Sequence, residues 1–320
     1  LPTLRRRIFE TIDINNTIRQ IKDLRTSGKQ STDLEGELWE DVKISSFGQM
    51  FTTIYLLSAV CTLLRIQLHV LARHLIKTEK PSSTSSTSSG NVSVSSREEG
   101  GDDGGLDSEM FRLIVEGTYR QMFGKGIQSF SVFILEKLRV YLRDWTVKEK
   151  VKVEYEEIHD LFEKIRKQIE LHFDLITKEL FLPPEAEVAL SPTGSGIYDQ
   201  TVRMTPAAQK LLNQIWDVVD SPVFQVVYLE TVEACYRLCY DHLRKIIFQP
   251  EASPSHMYDS SPTFRSPPLA SILPQLKSIA NRLLPDSPDT PLNSDLRNLS
   301  SGTLLDSLCI SIFDAEEGFD

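Results

Sequence analysis

The sequence predicts an all-α fold, a single elongated helical bundle built around one very long helix of about 40 residues. Three observations carry that expectation. Apolar residues between Ile44 and Leu75 recur at spacings of three and four without interruption, which is the period of one helix face. The other apolar runs keep the same spacing, and none shows the strict alternation, bounded by turn residues, that marks a strand. The composition, 40% hydrophobic and 25% charged over 320 residues, supplies apolar material for a sizeable core.

Taken in chain order, a first helix is expected over 3–26, with Leu4, Ile8, Ile12, Ile18 and Ile21 on its apolar side. The long helix starts at Thr32-Asp33-Leu34-Glu35, a capping-box pattern in which the Thr and Glu side chains satisfy each other's free backbone donors. Its stripe runs through Ile44, Phe47, Phe51, Ile54, Leu57, Cys61, Leu64, Leu68, Leu71 and Leu75. The most apolar part, Ile54 to Leu64, is followed by Arg65, Gln67, His69, Arg73 and His74. A membrane span needs about 20 apolar residues, so this reads as the core helix of a soluble bundle. Helices over 107–123 and 127–145 are separated at Gly124-Lys125-Gly126, read as a helix–helix turn because no strand precedes it as a phosphate loop requires. Ile158, Leu161, Ile165, Ile169, Phe173, Ile176 and Leu180 form the next stripe. After a helix over 205–219, Ser221-Pro222 gives an N-cap and a first-turn proline for a stripe of Tyr228, Val232, Cys235, Cys239, Leu243 and Ile246. Helices over 268–284 and 302–314 complete the set. Segments 78–106, 249–267 and 285–301, rich in Ser, Thr, Gly and Pro, cannot bury enough apolar surface to offset their ordering entropy and are expected to be disordered loops.

The 45 acidic residues against 35 basic ones give a net charge of -10, which excludes nucleic acid as the main partner, since phosphate binding needs a basic face. Four cysteines, Cys61, Cys235, Cys239 and Cys309, lie in apolar settings and suggest a reducing compartment rather than a disulfide framework. Cys235, Cys239 and His242 share one helix face at metal-ligand spacing, but no fourth ligand is within reach. The better reading makes both cysteines small hydrophobes of the stripe, with no metal and no cofactor. Glu154, Glu156, Glu157 and Asp160 read as a solvated helix face. Catalytic signatures are absent from the sequence, including the paired Asp-rich metal motifs of all-α isoprenoid enzymes, so no enzyme is expected.

One feature exceeds what a core needs. At about 100° per residue, Leu38, Trp39 and Val42 project away from the stripe that starts at Ile44, with Lys43 beside them. Two readings stay open on pattern alone. In one, the N-terminal helix packs over these residues. In the other, they line a groove for an amphipathic helix of a partner, with the tryptophan as the expected hot spot.

The blocks Leu1-Pro2-Thr3-Leu4-Arg5, Leu38-Trp39-Glu40-Asp41-Val42-Lys43-Ile44-Ser45-Ser46-Phe47 and Leu63-Leu64-Arg65-Ile66-Gln67-Leu68 resemble the peroxin-3 family in order and spacing. Leu211-Leu212-Asn213, Asp217, Ser221-Pro222-Val223-Phe224, Pro268-Leu269-Ala270 and Ile272-Leu273-Pro274 resemble its later helices. The resemblance implies an all-α cytosolic domain at the peroxisomal membrane, with an N-terminal membrane anchor that this chain lacks. It implies docking of peroxin-19, the chaperone of newly made peroxisomal membrane proteins, by an N-terminal amphipathic helix entering a hydrophobic groove. On that resemblance the groove tryptophan falls on Trp39, with Leu38 and Val42 beside it, a neighbouring lysine on Lys43, and a preceding apolar-lysine pair on Ile21-Lys22. The alternative reading is a lipid-binding or membrane-surface helical protein, drawn from Arg5-Arg6-Arg7 and the apolar long helix.

Overall fold

Asp13 divides what the sequence reads as one N-terminal helix. In the computed structural model, which describes residues 1–27, 32–79, 108–181, 206–248, 265–284 and 303–314, α1 (Pro2–Thr11) ends before it and α2 (Ile14–Thr26) starts after it. The Asp13 carboxylate accepts the Asn16 backbone N–H at 3.1 Å, capping α2. Ile12 and Ile14, on either side of the corner, are both buried. An Asp side chain that competes for backbone donors thus ends one helix and starts the next without leaving apolar surface in water.

The long helix, α3 (Thr32–Glu79), has 48 residues, longer than expected by about two turns. Between Val42 and Ala59 every residue except Ser45 is buried, because α2, α5 (Ile127–Tyr141), α9 (Pro222–Ile246) and α10 (Leu269–Leu283) all pack against α3. A helix enclosed on every side needs no single stripe. Farther along, the expected stripe is only partly covered: Leu71 is buried, but Leu64 and Leu68 are each 46% exposed and Leu75 is 38% exposed, whereas Leu63, Ile66, Gln67 and Val70 are buried. Both faces of this half are apolar in sequence, and among the described residues the neighbouring helices cover mainly the one through Leu63, Ile66 and Val70. By length and composition Asp33–Ile76 is apolar enough to cross a membrane, but 67% of its most apolar stretch is buried within the bundle.

The core is aromatic. Phe47, Phe51 and Tyr55 follow one another at four-residue steps along α3, with Phe162 set edge-on to Phe47 and Phe51 at centroid distances of 5.8 and 5.3 Å. Tyr236 meets both Phe51 and Tyr55, and Phe130 meets Tyr55. Edge-to-face pairs of this kind add about 0.5–1.5 kcal/mol each beyond area burial. Gly48 lets α5 approach this ladder closely, since a Cβ there would lie 2.5 Å from Leu135 Cδ2.

Two further sequence expectations change in detail. The turn expected at Gly124–Gly126 is instead a π-helical segment, Met122–Gly126, that carries α4 (Ser108–Gln121) into α5. The Ile127 N–H reaches back five residues to Met122 O, and both side chains are buried. The extra residue per turn re-phases the apolar face, which a regular helix would rotate out of the core. The stripe from Ile158 to Leu180 is split into α6 (Tyr155–Glu170) and α7 (Phe173–Phe181). Leu171 at the break is 73% exposed, while Ile169 and Phe173 on either side are buried. α8 (Pro206–Val219) and α11 (Thr303–Asp314) follow expectation, and Ser221 caps α9 by accepting Phe224 N–H at 3.2 Å.

α5 ends at Tyr141, short of the expected residue 145, and an irregular connector over 142–154 leads to α6. Val153 N–H donates to Pro267 O at 2.9 Å and Leu269 N–H donates to Lys150 O at 3.0 Å. Pro267, within the loop expected to be disordered, is therefore held by backbone pairing. Residues 78–79 of the first expected loop belong to α3. Arg265 and Ser266 of the second loop are exposed and in no helix, and the remainder of the three expected loops lies outside the described residues.

Candidate functional site

The N-terminal turns of α3 meet α2 at a corner fixed by Glu35. Its Oε1 accepts from Arg25 Nε on α2 at 3.0 Å and from Trp39 Nε1, one turn along α3, at 3.4 Å. The Arg25 hydrogen bond first, and the indole bond second, hold the Glu35 carboxyl below its ordinary value of 4.5. One carboxylate thus sets both the crossing of α2 on α3 and the direction of the Trp39 ring.

Around that corner the six residues singled out in the sequence separate into three kinds. Leu38 and Trp39 are half-buried and pack against the core edge. Val42 and Ile21 are buried, each 3% exposed, and form the floor where α2 lies on α3. Lys22 is exposed. Lys43 is only 2% exposed and points inward: its Nζ donates to Leu142 O at 2.9 Å, to Trp145 O at 2.8 Å and to the Glu40 carboxylate. A lysine so held makes no outward contact, and a cation in this position is stable because all three of its donors are used. Two residues not singled out belong to the same corner. Leu34, 43% exposed, sits one turn before Leu38 on the same face, a placement visible in the i, i+4 spacing. The other is Glu35, whose sequence context announces only half of a capping box.

The pattern that defines the Peroxin-3 family matches residues 34–315. The chain belongs to the Peroxin-3 family. Among its relatives, the protein named Peroxisomal biogenesis factor 3 of Cricetulus longicaudatus is 24% identical over 296 residues, spanning 90% of the chain and 72% of that protein. Peroxisomal biogenesis factor 3 of Bos taurus is 21% identical over the same length and shares. The peroxin-3 match starts at Leu34, so it includes the whole α3 side of the corner, while Ile21 and Lys22 on α2 lie before it.

The arrangement has the chemistry of a recognition surface: apolar side chains at half exposure, one aromatic with an oriented N–H, and cations at the rim. Cys235 and Cys239 are buried in the peroxin-3 core, Ser58 Oγ donates to Cys235 Sγ at 3.2 Å, and His242 lies against Arg282. Among the described residues no three His, Cys, Asp or Glu side chains come together to hold an ion.

Proposed function

We propose that this chain acts in peroxisome biogenesis as a docking receptor at the peroxisomal membrane, its bundle facing the cytosol, for the import and insertion of peroxisomal membrane proteins. Its partner is the N-terminal amphipathic helix of peroxin-19. The helix lies against the α2–α3 corner, over a floor of Val42 and Ile21, with Trp39 and Leu38 as apolar anchors and Lys22 at the rim. Support comes from one observation above all. On a helix whose next turns are enclosed on every side, Leu34, Leu38 and Trp39 keep apolar surface open beside a buried floor. That is how a groove for an amphipathic helix is built. Family membership supports the same reading, since the relatives are peroxisomal biogenesis factors by name. The work is recruitment, with no bond made or broken.

The test is calorimetric titration of the chain with a peptide of that peroxin-19 helix, comparing wild type with Trp39→Ala. Truncating a central aromatic anchor costs about 2 kcal/mol or more, so affinity falls at least tenfold while the far-ultraviolet spectrum is unchanged. A folded Trp39→Ala that binds as tightly as wild type removes Trp39 from the site.

A second reading, direct contact with lipid, draws on a separate observation. Leu64, Leu68, Leu75 and Ile76 are 38–48% exposed along the distal half of α3. Flotation of the chain with vesicles in the absence of peptide supports it, and a chain that stays at the bottom of the gradient removes it.

A further inference from the structure

We infer that Lys43 and Glu40 are a positioning pair, fixing the connector over 142–147 as a second wall of the Trp39 docking surface. This rests on the docking reading and assigns Lys43 a different part in it from contact with the partner. Glu40 follows Trp39 in sequence, and Lys43 lies one helical turn beyond it. Lys43 Nζ donates to the carbonyls of Leu142 and Trp145, at 2.9 and 2.8 Å. Glu40 uses both carboxylate oxygens: Oε2 pairs with Lys43 and Oε1 accepts Val147 N–H at 2.7 Å. Two side chains of one turn therefore bind three backbone groups of a segment about 100 residues away in sequence.

What the pair holds is chemically suited to a partner-facing wall. Trp145 is half-buried, with the Lys150 ammonium 5.1 Å from its ring centroid. Lys150 is in turn anchored to Glu157 on α6 at 2.7 Å. Val147 is half-buried, and Val151 is 68% exposed. The far end of the connector is tied by the Val153–Pro267 and Lys150–Leu269 backbone bonds. With that end fixed and its middle held by Glu40 and Lys43, the connector presents a rigid aromatic and apolar edge beside the turn that carries Trp39. A rigid wall raises affinity by removing the ordering entropy that a loose loop loses on binding.

The experiment compares wild type, Lys43→Met, Glu40→Ala and the double variant by peptide titration, with hydrogen exchange read at the Val147 amide. The peroxin-19 peptide is used in its native form and with its acidic residues changed to the corresponding amides. Each single variant is expected to speed Val147 exchange at least tenfold and to weaken binding about tenfold. The double variant is expected to be no weaker than the weaker single, because the two residues act through one wall. Loss of binding is expected to be equal for both peptides, since the Lys43 ammonium does not face the partner. Folded Lys43→Met and Glu40→Ala with wild-type affinity overturn the inference, and so does a loss confined to the acidic peptide, which places Lys43 in direct contact. If Lys43→Met does not fold, Glu40→Ala alone decides, because the Glu40 side chain is 37% exposed and also carries the Val147 bond. Failure of wild type to bind either peptide sinks the docking reading, and the positioning role with it, before any substitution is compared.

Discussion

Lys43 and Trp39 sit one turn apart on α3 and are used in opposite ways. The tryptophan keeps part of its ring outside the core, while the lysine is enclosed and satisfied by carbonyls 99 and 102 residues away. The partly open apolar residues Leu38 and Trp39 were legible in sequence because a helical wheel needs only local spacing, whereas Val42, on the same expected face, is buried in the core. The inward turn of Lys43 was not legible, because nothing local announces which loop will bring two carbonyls to it. At the same scale, Phe162 shows how much one core side chain carries. It is fully buried and meets Phe47, Phe51 and Tyr240. Phe162→Ala is expected to lower stability by about 3–5 kcal/mol through lost transfer and a residual cavity, read by chemical denaturation. Cys235 makes a quieter prediction. Burial pushes its thiol up to about 12, and the Ser58 hydrogen bond offsets only part of that rise. Alkylation of the native chain at pH 8 is therefore expected to leave Cys235 unmodified, and denaturant to expose it.

At the scale of elements, periodicity located the helices and failed at their breaks. The stripes over 3–26 and 158–180 continue in sequence across corners that the chain makes at Asp13 and at Leu171-His172. An apolar period of three and four survives such a corner when the residues on either side both face the core, so the period alone does not reveal it. The local signal at Asp13 was a cap-forming side chain inside a helical run. Asp13→Ala is expected to cost about 1 kcal/mol, the usual value of an N-cap, seen as a lower denaturation midpoint with an unchanged slope. The π segment at Met122–Gly126 was hidden for the reverse reason, because two glycines in three residues read as a turn when the chain in fact continues helically through them. On α3 the difficulty was excess: with apolar residues on two faces beyond Val60, tertiary packing chose the face through Leu63 and Ile66.

The whole molecule carries a net charge of -10 at pH 7, and its ordering contacts include carboxylates whose protonation undoes them. Glu35 is held below its ordinary value of 4.5 by Arg25 and then Trp39. Glu157 is held below the same value by the Glu154 backbone N–H, in the capping box of α6, and then by Lys150. Burial works against ionisation of Glu233, but hydrogen bonds and charge from Arg237 and Arg166 outweigh it and leave its value lowered as well. An acid with a depressed value in the folded state adds stability that is complete above the unfolded value and lost as pH falls through the folded one. Unfolding free energy is therefore expected to be steady from pH 7 to about 5 and to drop below pH 4.5, as Glu35, Glu157 and Glu233 take up protons. At Glu35 acid acts on the α2–α3 corner itself, because one proton there weakens the contacts with both Arg25 and the Trp39 indole. Peptide affinity is accordingly expected to fall in the same window below pH 4.5, and Glu35→Gln, which cannot ionise, is expected to bind more weakly at pH 7 and to lose most of this pH dependence. Denaturation midpoints and titrations at half-unit steps between pH 7 and 3.5 measure both. An unfolding free energy that rises as pH falls below 4.5 contradicts the argument, since it requires carboxylates that are destabilised, rather than held, in the folded chain.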